Sequence, residues 1–341
     1  MSADAAAAVR TQAEEVGEAH ALAFRIAFAA AMGLTLGEVL GWDFPFLPAM
    51  LAVQLLSGRE PLGVKKGVAF IAVIVCASIF AVLVAQIFVD SPLVLLLAVA
   101  LVTFLAFLLL ARGQAAGVAA IFLITTAVVP LLATESMSVA NGFIHSLIAG
   151  SALAVLLAFA AHAFFPTRVQ AQPVSVGPQK ERDSVALALA NTAVLMSLVI
   201  YFMLTPSPVS IVLVLTVISI LRQPADLGGG TALGLILGNL VGGLAATVAY
   251  LLVTLFPSPA FLLLVVLLVG LVLGDRIARG GESAPIYTVG LMTFLILLGL
   301  GLSPLPQDSG TLFIARVFDV MVGAVYAIGM ASLLRSAFRA A

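Results

Sequence analysis

The sequence predicts an all-α, polytopic membrane protein of about twelve transmembrane helices, arranged as two parallel six-helix repeats. Three observations predict it. Of 341 residues, 63% are apolar and 9% are charged, whereas a soluble domain carries about 25% charged residues to hydrate its surface. Apolar runs long enough for a bilayer crossing recur along the whole chain, each bounded by Gly, Pro or charge. Lys and Arg outside those runs fall on alternate loops only.

Residues 1–19 read as a short cytosolic N-terminal helix, rich in Ala and carrying Arg10, Glu14, Glu15 and Glu18. The first apolar run contains Arg25 and Glu38 and exceeds a signal-peptide core, so it reads as a retained span. Spans one to six are expected at His20–Leu40, Phe44–Leu56, Val64–Val89, Pro92–Leu110, Ala115–Leu132 and Val139–Phe164. Spans seven to twelve are expected at Ser184–Leu204, Val209–Leu221, Thr231–Leu255, Pro259–Leu273, Ala284–Leu302 and Thr311–Leu334. Backbone groups in lipid must be satisfied within their own segment, so each is a helix.

The loops on the side of the two termini hold the cations, among them Arg59, Arg112, Arg168, Arg222 and Arg276, and the opposite loops hold none. The positive-inside rule then puts both termini in the cytoplasm. The polar stretch 167–183, with Pro173 and Pro178, is the linker. It divides the chain into membrane repeat 1 (20–166) and membrane repeat 2 (184–334), followed by a cytosolic tail (335–341). The halves resemble each other: Phe44-Pro45-Phe46-Leu47-Pro48 answers to Pro206-Ser207-Pro208, and Ser91-Pro92 to Ser258-Pro259. Six spans per half is an even number, which makes the repeats parallel.

Composition also excludes. A net charge of −1 offers no field for nucleic acid. The single Cys76 makes no disulfide, and His145 and His162 have no second ligand at metal spacing, so no metal or cofactor is expected. No nucleophile elbow accompanies Ser151, so no enzyme is expected either.

Candidate sites come from two features. Short, Pro-marked segments at corresponding places in two repeats point to a transport site, and spans two and eight fit. Ionisable residues inside spans are costly and are functional candidates. Arg25 and Arg316 are candidate attractors for an organic anion near opposite faces of the bundle, with Asn191 and Gln54 as polar lining. Asp319 and Glu38 are candidate proton carriers. Each group has a plain alternative as a structural tie between helices or, for Arg25, as a side chain reaching the inner headgroups. Arg316 and Asp319 share one helix face, which Gly323 continues. Gly230, Gly234, Gly238 and Gly242 recur every four residues and should let another backbone approach span nine closely. Span three has no such stripe.

Several segments resemble the fusaric acid resistance / aromatic acid exporter superfamily, across nearly the whole chain. They are Leu22-Ala23-Phe24-Arg25-Ile26-Ala27 in the first span and the Pro-containing second segment ending near Gln54. The glycine-rich start of span nine and Ala315-Arg316-Val317-Phe318-Asp319-Val320-Met321-Val322-Gly323 in the last span complete the set. The resemblance implies export of aromatic or other small carboxylic acids and drugs from the bacterial inner membrane, driven by protons, with a periplasmic membrane-fusion adaptor as partner. Departures accompany it: the cytosolic domain of many members is missing, and Phe143 and Ser146 stand in repeat 1 where repeat 2 has Arg316 and Asp319. The expected partners are thus the lipid bilayer, a small organic anion, the adaptor and further copies in a homo-oligomer. A passive anion channel and a non-transporting membrane scaffold are the competing functions.

Overall fold

The computed structural model describes residues 3–57, 62–88, 90–166, 181–205, 209–223, 229–281, 283–303 and 311–340. Side-chain surroundings are described for these except 3–16, 116, 181–183, 229–231, 311–314 and 335–340. Among the described residues the chain forms twelve helices and no strand. The first half holds α1 (Ala3–Val39), α2 (Phe46–Ser57), α3 (Val64–Phe88), α4 (Pro92–Ala111), α5 (Ala116–Glu135) and α6 (Met137–Phe164). The second holds α7 (Glu181–Leu204), α8 (Ile211–Leu221), α9 (Gly229–Leu255), α10 (Pro259–Ala278), α11 (Ala284–Leu302) and α12 (Thr311–Ala340).

Ten of these helices are long and apolar enough to cross a membrane. The protein is therefore a multi-pass membrane protein in contact with lipid. The remaining two, α2 and α8, have 12 and 11 residues. At the α-helical rise they cover about 18 and 17 Å, well short of a hydrocarbon core of about 30 Å. The segment ahead of α2 is irregular, and such backbone survives at membrane depth only when protein covers it. Phe44 and Pro45, ahead of α2, are indeed buried.

Local chemistry sets several ends. Pro92 and Pro259 open α4 and α10, where the missing N–H costs nothing. The Ser258 hydroxyl accepts from the Phe261 N–H at 3.1 Å, capping α10. At the amino terminus α1 runs unbroken through the boundary expected at residue 19, so the first span is the continuation of that helix. At the other end α12 continues through the expected tail to Ala340. Residues 167–180 of the expected linker lie outside the described residues.

The packing repeats between halves. Helix α1 lies against α10 as α7 lies against α4. The short α2 packs on α6 and α11, and α8 packs correspondingly on α12 and α5. Helices α2, α5, α8 and α11 carry mostly buried side chains and form the centre. Apolar stripes face outward on the surrounding helices, as at Leu93, Leu97 and Leu101 of α4, of which Leu93 is 76% exposed. Spacing of four places them on one helix face, and lipid is the solvent such a face requires.

Glycine makes two of the tightest crossings. In α9 a Cβ on Gly238 would sit 2.5 Å from the Ile286 carbonyl oxygen of α11, and one on Gly242 would strike the Gly290 carbonyl. Gly234 faces the Ile286 side chain. The surroundings of Gly230 lie outside the described residues. The α1–α10 crossing uses Gly270 and Gly274, whose added Cβ atoms would meet Ala27 Cα at 2.9 Å and the Ala23 oxygen at 3.1 Å.

Candidate functional site

The polar side chains that the bundle brings together gather at the two ends of α8. Counting crossings from the termini, α8 begins on the far side of the bundle and ends on the side that holds the termini. Helix α12 lies alongside it, and Gly323 permits this approach: its Cβ position is 3.3 Å from the Leu213 carbonyl oxygen and 3.5 Å from Thr216 Cβ.

At the far end, Ser210 is the N-cap of α8 and accepts from the Leu213 N–H at 3.4 Å. Its own proton goes to Asp319: the Ser210 hydroxyl donates to Asp319 Oδ2 at 2.6 Å. One residue earlier, the Val209 N–H donates to the Glu135 carboxylate at the end of α5. Two carboxyl groups from two other helices thus crowd the amino terminus of α8, whose partial positive charge favours them. Arg316, one turn before Asp319, donates to the Leu300 carbonyl oxygen in the last turn of α11.

The corresponding end of α2 has the same layout with weaker charge. Ser146 Oγ, on α6, accepts from the Phe44 N–H at 3.4 Å. Ser303, at the end of α11, donates to the Asp43 carbonyl oxygen at 2.6 Å. The Asp43 carboxylate lies directly on Gly142 of α6, where a Cβ would collide with Oδ2. Asp319 and Glu135 at the start of α8 therefore correspond to Ser146 and Ser303 at the start of α2.

The remaining sequence candidates are distributed more widely. Arg25 is 4% exposed and donates through Nε and Nη2 to the Phe165 carbonyl oxygen, at 2.8 and 2.5 Å. A cation at the carboxyl end of α6 complements its dipole, and the Phe24 and Phe165 rings stack over the bond at 5.5 Å. Asn191 is buried on α7 and donates through Nδ2 to the Leu221 oxygen at 3.1 Å, tying α7 to the terminus-side end of α8. Gln54 is half-buried on α2, and Glu38 is half-buried near the far end of α1. Arg25 and Arg316 thus stand on opposite sides of the bundle, each bonded to a carbonyl at a helix carboxyl end. Asp319 and Asn191 are the candidates that bond directly to the short α8, at its opposite ends.

Sequence reading passed over Ser210, Glu135 and Arg222. Arg222 counted as loop charge, Glu135 fell in the loop between the expected fifth and sixth spans, and Ser210 fell within the expected eighth span. A Ser immediately before an apolar run is a recognisable N-cap signal, but its partner 109 residues away is not. No group of three or more metal-ligating side chains occurs among the described residues.

Residues 22–161 match the family described as Protein of unknown function (DUF2955). Residues 193–330 match the fusaric acid resistance protein-like family. No curated protein and no solved structure matches the chain. The second match runs from the middle of α7 into α12 and so contains both ends of α8, Arg316 and Asp319. Among the described residues there are twelve helices, ten of membrane-crossing length, and the second half of this multi-pass membrane protein is similar to the fusaric acid resistance protein-like family.

Proposed function

We propose that the protein is a permease, not an enzyme, that exports small organic acids, with aromatic carboxylates as the leading class, in exchange for protons. One observation carries this reading: the Asp319 carboxylate receives the hydroxyl of the residue that caps a broken helix inside the bundle. Protonation of Asp319 removes the charge that the α8 terminus attracts and weakens the bond from Ser210, so α8 and α12 are free to separate. A carboxyl bonded at a broken helix is the arrangement by which a proton is exchanged for movement. The family match over 193–330 supports a transport role.

In this reading the termini are cytoplasmic and the membrane is the bacterial inner membrane. The ends of α8 that hold Ser210 and Arg222 then face the periplasmic and cytoplasmic halves respectively. Arg25, Arg316, Asn191 and Gln54 belong to the anion route or to its walls, and Glu38 is a second proton carrier. A periplasmic membrane-fusion adaptor and a homo-oligomer are proposed partners.

Everted membrane vesicles test the proposal. With an acidic lumen, passive distribution of a weak acid opposes uptake, so accumulation of labelled benzoate in the lumen reports coupled export. The wild type should accumulate it and Asp319→Asn should not. Flux in Asp319→Asn that persists without regard to the pH difference would indicate the anion channel instead. Absence of any flux in the folded wild type would favour the scaffold.

A further inference from the structure

Arg222 stands directly after α8, at its terminus-side end, and is half-buried. Burial lowers its pKa to about 10, so the guanidinium keeps its charge at neutral pH. Arg25 and Arg316 each discharge their donors on a carbonyl at a helix carboxyl end. The carbonyls beside Arg222 are bonded to other donors. The Ile218 oxygen accepts from the Arg222 backbone N–H, and the Ile220 oxygen accepts from the Gln223 N–H. The Ser219 oxygen accepts from Gln223 Nε2 at 3.4 Å, and the Leu221 oxygen from Asn191 Nδ2 at 3.1 Å. Each of the four final carbonyls of α8 thus accepts a hydrogen bond from another group, and the Arg222 side chain makes no hydrogen bond or ion pair among the described residues.

We infer that Arg222 is the cytoplasmic anion-binding site of the permease, receiving the carboxylate of the exported acid at the inner end of α8. A planar guanidinium with five N–H donors matches a carboxylate in a two-point fork, and a partly desolvated cation without a counter-ion gains most from acquiring one. A phospholipid phosphate offers the same chemistry. The position argues for a dissolved anion, because the side chains of α8 up to Leu221 are buried except for the half-buried Leu213 and Ser219, so no lipid-facing stripe leads to this end. The assignment rests on the export reading, and it adds the place at which substrate is first held.

The full chain in nanodiscs, with benzoate as probe, provides the test. In uncharged phosphatidylcholine discs, benzoate should raise the thermal midpoint of the wild type. Its half-saturating concentration should rise about tenfold or more in Arg222→Gln, with Arg222→Lys intermediate, because a charge-assisted fork is lost. Equal half-saturation in wild type and Arg222→Gln overturns the assignment. So does an Arg222-dependent stabilisation that appears only in phosphatidylglycerol discs and not with benzoate, which would identify a headgroup site. Should Arg222→Gln fail to fold, phenylglyoxal modification of the wild type decides: benzoate should slow the Arg222 adduct in mass spectra, and an adduct that forms at the same rate with benzoate overturns the site. If benzoate binds through Arg222 but vesicles show no coupled export, the export reading fails and the site stands. If export is intact and binding ignores Arg222, the reverse holds.

Discussion

Ser210 and Asp319 are 109 residues apart in sequence and 2.6 Å apart in the fold, the hydroxyl of one donating to the carboxylate of the other. The bond joins the cap of the shortest helix to the face of the last, so what happens to the carboxyl is transmitted to the helix end. Replacing Asp319 by Asn keeps the acceptor and removes the titrating group. Asp319→Asn should fold with a thermal midpoint near wild type, within about 1 kcal/mol, and lose pH-driven benzoate accumulation in everted vesicles. Retained coupling with the variant would remove Asp319 from the mechanism.

Ser210→Ala deletes a cap and the Asp319 partner together. Stability should fall by about 1–2 kcal/mol, measured by chemical or thermal unfolding in detergent. A double-mutant cycle with Asp319→Asn should show a coupling of about 0.5 kcal/mol or more, as expected for residues in direct contact. Strict additivity would mean the two side chains act independently.

The α9–α11 crossing permits a graded test of close approach. Gly242→Ala places a methyl into the Gly290 carbonyl, backbone that has no rotamer to change. It should cost about 1–3 kcal/mol or displace α11. Gly329→Ala on α12, with nothing within 4 Å of its Cβ position, should be neutral or slightly stabilising through better helix propensity. Equal effects at both positions would contradict the packing described.

Two threonines at matching places on α5 and α11 separate paired from unpaired polarity. Thr293 donates to Asn239 Oδ1 at 2.6 Å, joining α11 to α9. The buried Thr126 hydroxyl of α5 has no hydrogen-bond partner. Thr293→Val should therefore destabilise by about 0.5–1.5 kcal/mol, while Thr126→Val should be neutral or stabilising. The comparison is read from paired unfolding midpoints, and the opposite ranking would reject it.

Arg25 offers a test of tie against attractor. Arg25→Gln removes the cation from the Phe165 carbonyl and should lower stability by about 1–3 kcal/mol. If its role is the tie, benzoate half-saturation of the folded variant stays unchanged while yield drops. A shift in half-saturation at full folding would place Arg25 on the anion route.

The membrane class and the succession of helices were legible because each rests on local chemistry. Lipid rejects unpaired backbone and charge, so apolar runs, Pro at helix starts and alternating loop cations mark the segments one at a time. Boundaries such as Phe46 for α2 and Leu221 for α8 lie within a few residues of those expected. The brevity of α2 and α8 was visible for the same reason, through Pro45, Pro48, Pro206 and Pro208.

The candidate site was legible only in part. Arg25, Arg316 and Asp319 stood out because charge inside a span is conspicuous wherever it lies. Glu135 and Arg222 did not, because at a span's edge a charge looks like ordinary loop solvation until the fold shows what encloses it. Sequence by itself determined that this chain lies in lipid, crosses it many times and carries a few costly ionisable groups. Only the tertiary structure decided which of those groups are tied to helix ends, which one reaches the cap of α8, and which one makes no side-chain hydrogen bond among the described residues. The reason is physical: hydrophobic periodicity is written along one segment, whereas hydrogen-bond partnership is settled between segments that meet only when the bundle closes.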